Sequence, residues 1–231
     1  MREKGLTGNQ LKLIALITMT VDHIGFLLFP RLMFLRIIGR LSLPIYAYLL
    51  AEGCTHTRSM GRYLGSVLLV GFVCQVVSFV AANSLRQCIL ISFALSIGLI
   101  WLVRLAQEKK RLWLWLLPIL GTAGVWFLIR WMDGVWQEMD FAIDYGFWGV
   151  MLPVVIYLGR TRTRRLLTTA AGLLLLLLEG FLYQEYALLA LPLLALYNGQ
   201  RGQRSFKWLH YIYYPAHMAV LYGIAWVFHT I

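Results

Sequence analysis

Acidic residues are scarce in this 231-residue chain: 10 Asp and Glu stand against 21 Lys and Arg, for a formal net charge of +11. Charge of either sign is thin, at 13% of residues, and 60% are hydrophobic. With a mean hydropathy of +0.71, this excludes an ordinary soluble domain, which is about half apolar. The three cysteines, Cys54, Cys74 and Cys88, have neither metal nor redox spacing and read as free thiols in the packing. There is no His-x-x-x-His or Cys-x-x-Cys pattern, so no metal site is expected. No Gly-x-Ser-x-Gly elbow supports a serine hydrolase, and no glycine-rich phosphate loop supports a nucleotide enzyme. No basic module stands outside the apolar segments, which removes nucleic acid as the explanation of the positive charge. The first apolar run lacks a small-residue cleavage site and is expected to remain as a helix.

Long apolar runs fill the chain instead. Nine can be drawn: 11–29, 34–52, 62–81, 87–106, 112–131, 143–159, 166–183, 185–198 and 208–228. Several approach the roughly 20 residues that a membrane helix needs. The stretch 166–198 would be about 50 Å long as one helix, too long for a hydrocarbon core of about 30 Å. Glu179, Gly180, Gln184 and Glu185 divide it, leaving a short, bent or partly re-entrant eighth segment. With the N-terminus in the cytoplasm, 16 of the 21 basic residues fall on the inner side. Arg31, Arg36, Arg40, Arg86 and Arg130 fall outside, and the fifth loop is acidic, with Asp133, Glu138, Asp140 and Asp144. That alternation follows the positive-inside rule. The expected fold is an all-α integral membrane protein: one domain over 1–231, a bundle of about nine (8–10) transmembrane helices around a central polar cavity.

Polar residues inside the apolar runs are the candidate functional residues. Lys12 and His23 are separated by roughly 16 Å along a helix axis and by about 20° of rotation from whole turns, so they share a face. A cation at the inner edge and an imidazole near the midplane suit an extended ligand entering from the cytoplasm. Lys12 taken alone reads better as a snorkelling anchor. Asp22 points about 100° away from His23 and is expected to pair with Arg40 on the second segment. That pair reads either as a rigid support for His23 or as a structural tie between two helices. Pro44 is expected to kink that segment. His217, preceded by Tyr213, Tyr214 and Pro215, lies at about the depth of His23 in the last segment.

The blocks LTGNQLKLIALITMTVDHIG and RIIGRLSLPIYAYLLAEGCTHTRS, followed by DYGFWGV, ALLALPLLALYNGQRG and KWLHYIYYPAHM, resemble the TraX family over essentially the whole chain. That resemblance implies an inner-membrane protein connected with N-terminal acetylation of conjugative pilin. It also implies kinship with a wider transmembrane acyltransferase group, whose members include polysaccharide O-acetyltransferases and the lysosomal heparan N-acetyltransferase. The polysaccharide branch carries a basic residue, ten residues, then histidine, as Lys12 and His23 do here. Its Arg-x-x-Arg motif is matched by both Arg162–Arg165 and Arg201–Arg204.

What the resemblance implies is an acetyltransferase that moves an acetyl group from cytoplasmic acetyl-CoA to an outer amine or hydroxyl. The acceptor would be a pilin N-terminus, an envelope glycan or a small amine. His23, Asp22, Arg40 and His217 are the candidate catalytic residues, either histidine being the candidate base. Lys12, Glu52, His56, Arg58, Tyr214, Asn198, Arg201 and Arg204 are the candidate contacts for acetyl-CoA. Direct attack and an acetyl-histidine intermediate both remain open. The expected partners are acetyl-CoA, the acceptor and the bilayer of a bacterial inner membrane, with no nucleic acid and room for a homodimer. The competing readings are a transporter or flippase, in which the buried charges form a relay, and a non-catalytic pilus or envelope assembly partner.

Overall fold

The computed structural model describes residues 5–135, 141–202 and 207–228, without the side chains of residues 133 and 207–211. Among them the backbone is helical, and its only strand-like pairings are the isolated bridges Leu6–Tyr197 and Gln87–Ile143. The helices are α1 (Gly8–Leu27), α2 (Met33–Gly39), α3 (Ser42–His56), α4 (Met60–Ala82), α5 (Ile89–Lys109), α6 (Leu116–Val135), α7 (Gly146–Leu158), α8 (Arg162–Leu176), α9 (Ala190–Ala195) and α10 (Lys207–Val227). Taking α2 with α3, and α9 with the 3-10 turn Gln184–Leu189 that leads into it, gives nine helical segments at the nine apolar runs. Five are long and apolar enough to cross a membrane: Gly8–Leu27, Met33–His56, Met60–Ala82, Ile89–Lys109 and Leu112–Met132.

Local chemistry sets the boundaries. Thr7 opens α1 with a capping box: its backbone N–H donates to Gln10 Oε1 at 2.8 Å, and its hydroxyl accepts from the Gln10 amide at 3.3 Å. Both bonds satisfy donors that a helix start leaves orphaned. The interruption in the second span falls at Arg40–Leu41, before Pro44 rather than at it. Pro44 has no N–H to offer the carbonyl of Arg40, so the ladder stops there, and the proline sits in the first turn of α3 where no donor is needed. The stretch after α8 divides as expected: a 3-10 turn at Leu177–Glu179, Gly180 in the left-handed region at φ 71°, and then the short Gln184–Ala195 segment. That segment is roughly 18 Å long, short of a full crossing.

Helix α1 packs against α2, α3 and α10, while α4 packs on α5 and α10, and α7 joins α3, α5 and α8. The main core runs through Leu11, Ala15, Ile45, Tyr48, Ile97, Val150 and Leu173, all at most 2% exposed. The outward faces of α4 and α6 carry large apolar side chains such as Leu69, Phe72, Leu120 and Phe127, the surface a bilayer would cover. Helices α1 and α2 approach closely because each sets a glycine against side chains of the other. A Cβ on Gly25 would meet Leu35 Cβ at 2.7 Å, and one on Gly39 would collide with the Asp22 side chain.

Gly39→Ala is therefore expected to destabilise the detergent-solubilised protein by about 1–3 kcal/mol, the usual cost of overpacking. Gly124→Ala, with nothing within 4 Å of the new Cβ, serves as the control. Thermal unfolding of the two variants side by side checks this, and equal midpoints would contradict the close packing.

Candidate functional site

Four residues of α1 form one stripe toward a cavity: Gly8, Lys12, Leu16 and Met19. They line a cavity of about 650 Å³ enclosed by α1, α3, α4, α5, α10 and the 197–201 loop. Backbone bonds fasten that loop to the start of α1. The Gly8 amide donates to the Gln200 carbonyl at 2.7 Å, the Asn9 amide to Arg201 at 3.0 Å, and the Asn198 amide to Leu6 at 2.9 Å. One end of the cavity is polar, with Lys12, Glu52, His56 and Arg201 on its wall. Along the middle it is apolar, with Leu50, Val67 and Phe93, and it ends at Tyr46, Tyr213 and Tyr214.

Behind those tyrosines stands a pair of imidazoles. His23 Nδ1 and His217 Nε2 are 2.8 Å apart, with the rings stacked at 5.0 Å between centroids and 30° between planes. Tyr213 stacks on the other side of His217 at 5.1 Å and 12°. Tyr214 meets both imidazoles edge-on, at 6.3 Å from His23 and 5.4 Å from His217. The Tyr213 hydroxyl is 2.8 Å from Thr20 Oγ1, which ties α10 to α1.

The hydrogen bonds order the protons. His217 Nδ1 lies 2.9 Å from the Tyr213 carbonyl, and a carbonyl only accepts, so Nδ1 carries the hydrogen. In the uncharged ring Nε2 then holds a lone pair, and the contact with His23 requires His23 Nδ1–H to donate into it. The remaining nitrogen, His23 Nε2, is left with a lone pair. The arrangement is a two-imidazole relay ending on a backbone carbonyl, with His23 Nε2 as its basic terminus.

The profile of the TraX family, described as TraX protein, matches residues 7–225. The chain belongs to the TraX family. It is also 30% identical over 253 aligned positions to "Probable fimbrial assembly protein FimC, serogroup H1" of Dichelobacter nodosus, covering 95% of this chain and 96% of that protein. A shorter similarity, 50% over 38 residues, covers 16% of this chain and 15% of an uncharacterized protein of Rickettsia prowazekii (strain Madrid E). No solved structure matches. With its five span-length helices, this TraX-family chain is a multi-pass bacterial membrane protein.

The expected pairing of Asp22 with Arg40 is corrected. In this TraX-family fold Arg36 takes the carboxylate: its Nη1 donates to Asp22 Oδ2 at 2.7 Å and to the Asp22 carbonyl at 3.1 Å. Arg40 follows the end of α2 and turns away to donate to the Tyr145 hydroxyl at 3.1 Å. A Cβ on Gly39 would collide with the Asp22 side chain, so Arg40 stands at the level of Asp22. One residue further round the helix, about 100°, its side chain reaches Tyr145 instead. Asp22 and Arg36 brace α1 against α2 beside His23 and do not touch His217.

The candidate acetyl-CoA contacts separate in space. Lys12, Glu52, His56, Tyr214 and Arg201 line the cavity, whereas Arg58 and Asn198 are not on its wall. The Asn198 side chain accepts from the Gln200 amide at 3.0 Å and shapes the loop. Arg204 lies outside the described residues, as do Glu138 and Asp140. Glu52 also pairs with Arg165 of α8, whose guanidinium lies over the Tyr48 ring at 5.9 Å. Sequence reasoning missed Thr20, Arg36, Tyr46, Tyr145 and the stacking role of Tyr213. The usable signal for Tyr213 was its i−4 position relative to His217, which puts it one turn away on the same face.

A double-mutant cycle in thermal unfolding separates the two arginines. Asp22→Asn with Arg36→Met is expected to give a coupling energy of about 1–3 kcal/mol, and Asp22→Asn with Arg40→Met a smaller one. The reverse order would contradict the pairing.

Proposed function

We propose that this chain is a transmembrane acetyltransferase, taking the acetyl group of cytoplasmic acetyl-CoA and passing it to an amine or hydroxyl delivered from the outer side. The observation that carries the reading is the cavity itself. Its polar mouth at Lys12 and Arg201 leads through an apolar channel to two tyrosines packed against a hydrogen-bonded histidine pair, Tyr213 stacked and Tyr214 edge-on.

The residues fit such a donor. Lys12 and Arg201 at the mouth suit phosphates. The apolar wall suits an extended arm with few charged groups. The stripe from Lys12 toward His23 is roughly 16 Å long, enough to separate an anionic anchor from a reacting carbonyl.

In the reaction, His23 Nε2 removes the proton from the acceptor as its nitrogen or oxygen bonds to the thioester carbonyl carbon. His217 Nε2 accepts from His23 Nδ1–H throughout and spreads the imidazolium charge toward the Tyr213 carbonyl. Tyr214, edge-on to both rings, supplies the donor for the developing oxyanion. Collapse breaks the carbon–sulfur bond, and His23 returns the proton to the departing thiolate. Asp22 and Arg36 hold the α1 backbone on which His23 is mounted. The fimbrial assembly named for the Dichelobacter relative supports a pilus subunit as the acceptor.

Membrane vesicles holding the purified chain are expected to move labelled acetyl from acetyl-CoA to envelope acceptors. His23→Ala should lower kcat by about 10²–10⁴-fold while still giving a cooperative melting curve. Lys12→Ala should mainly raise KM for acetyl-CoA. Full turnover by His23→Ala would remove the base assignment. No acetyl transfer by the native chain, together with intact pilus assembly, would favour the non-catalytic assembly reading.

A further inference from the structure

Two of the three cysteines meet at the start of α5. Cys88 is the N-cap of that helix, and its thiol points at the Gly71 carbonyl of α4, 3.6 Å away. Cys74 lies three residues beyond Gly71, on the same face of α4, and its thiol interacts side chain to side chain with that of Cys88. Gly71 makes the approach possible: a Cβ there would already meet Leu90 Cβ at 3.2 Å and Ile91 Cδ1 at 3.1 Å.

The connecting loop is held in place on both sides. Asn83 closes α4 in the left-handed region at φ 51°, and Gln75 Nε2 donates to the Ser84 carbonyl at 3.3 Å. The Gln87 amide donates to the Ala142 carbonyl at 2.8 Å. Cys88 therefore has little freedom to leave Cys74. Cys54, the third thiol, is buried in the main core on α3.

The geometry points to Cys74 and Cys88 as an oxidisable dithiol site that closes to a disulfide between α4 and the start of α5. The oxidant is a protein disulfide of the oxidising cell envelope. The half-buried Cys88 reacts first, since the Cys74 thiol, and then the Leu90 and Ile91 amides of the helix start, face its sulfur and favour its thiolate. That thiolate attacks the donor disulfide, one donor sulfur leaves as a thiolate, and a mixed disulfide forms. The deprotonated Cys74 sulfur then displaces the second donor sulfur. In all, two thiols lose two protons and two electrons, and the donor becomes a dithiol.

The closed bond would staple the wall that ends at Ile89, Leu90 and Val70, all on the cavity. Its access to an envelope oxidant rests on the topology of the reading above, with the α4–α5 loop outside. Formation of the bond in the purified protein does not.

The test uses the full chain in detergent, treated with diamide or with dithiothreitol, then alkylated and mapped by mass spectrometry. Diamide is expected to remove Cys74 and Cys88 from alkylation together as one intramolecular link, with Cys54 still alkylated. It should raise the Tm by roughly 5 °C, and Cys88→Ser should abolish the shift. Failure to link, or links only between molecules, would overturn the dithiol site. In intact cells, alkylation before lysis should find the pair already joined. A pair that links in detergent but stays reduced in cells would overturn the envelope oxidation and argue for an inverted loop. An acetyltransferase assay that fails leaves all of these results unchanged, so the two proposals fail separately.

Discussion

A polar side chain inside an apolar bundle has to find its partner within the protein, and that constraint organises this molecule. Asp22 finds Arg36 at 2.7 Å. His23 finds His217 at 2.8 Å, and His217 finds the Tyr213 carbonyl. Those contacts hold α1 to α2 on one side and to α10 on the other. The glycines at 25 and 39 and the Thr20–Tyr213 contact let the partners reach each other. The same bonds fix which histidine nitrogen keeps a lone pair, so the structural requirement and the chemical capacity have a single origin.

The cavity is the complement of that brace. Helix α1 presents Lys12, Leu16 and Met19 to it on the stripe that leads toward His23, while Asp22, about 100° around the helix, faces α2. One helix thus carries a ligand-facing line and a structural line side by side. The loop after α9 completes the mouth because its carbonyls accept from the first amides of α1. Arg201 is thereby brought to the same opening as Lys12 without being near it in sequence.

Much of this was legible in the chain. Helix rise alone placed His23 and His217 at one depth, because both distances run from cations at the same membrane face. The nine runs were legible because each apolar stretch ends in charge, glycine or a capping residue such as Thr7, Ser59 or Thr161. The partner of Asp22 was not legible. Arg36 and Arg40 are one turn apart, and helix rise gives depth but not how α2 is rotated against α1, which decides between them. The Glu52–Arg165 pair was hidden for a related reason: it joins α3 to α8, and no local pattern fixes which helices become neighbours. The Cys74–Cys88 meeting was hidden because fourteen positions separate the two, and only the close approach at Gly71 joins them.

The account stands on the cavity holding the acyl end of acetyl-CoA beside the histidine pair. Photocrosslinking with an acyl-CoA analogue that carries its photoreactive group at the acyl end tests this most directly. The account predicts labelling of the α1 peptide containing Met19 and the α10 peptide containing Tyr213 and Tyr214, competed away by CoA. Labelling confined to peptides remote from the cavity, or insensitive to CoA, would contradict it.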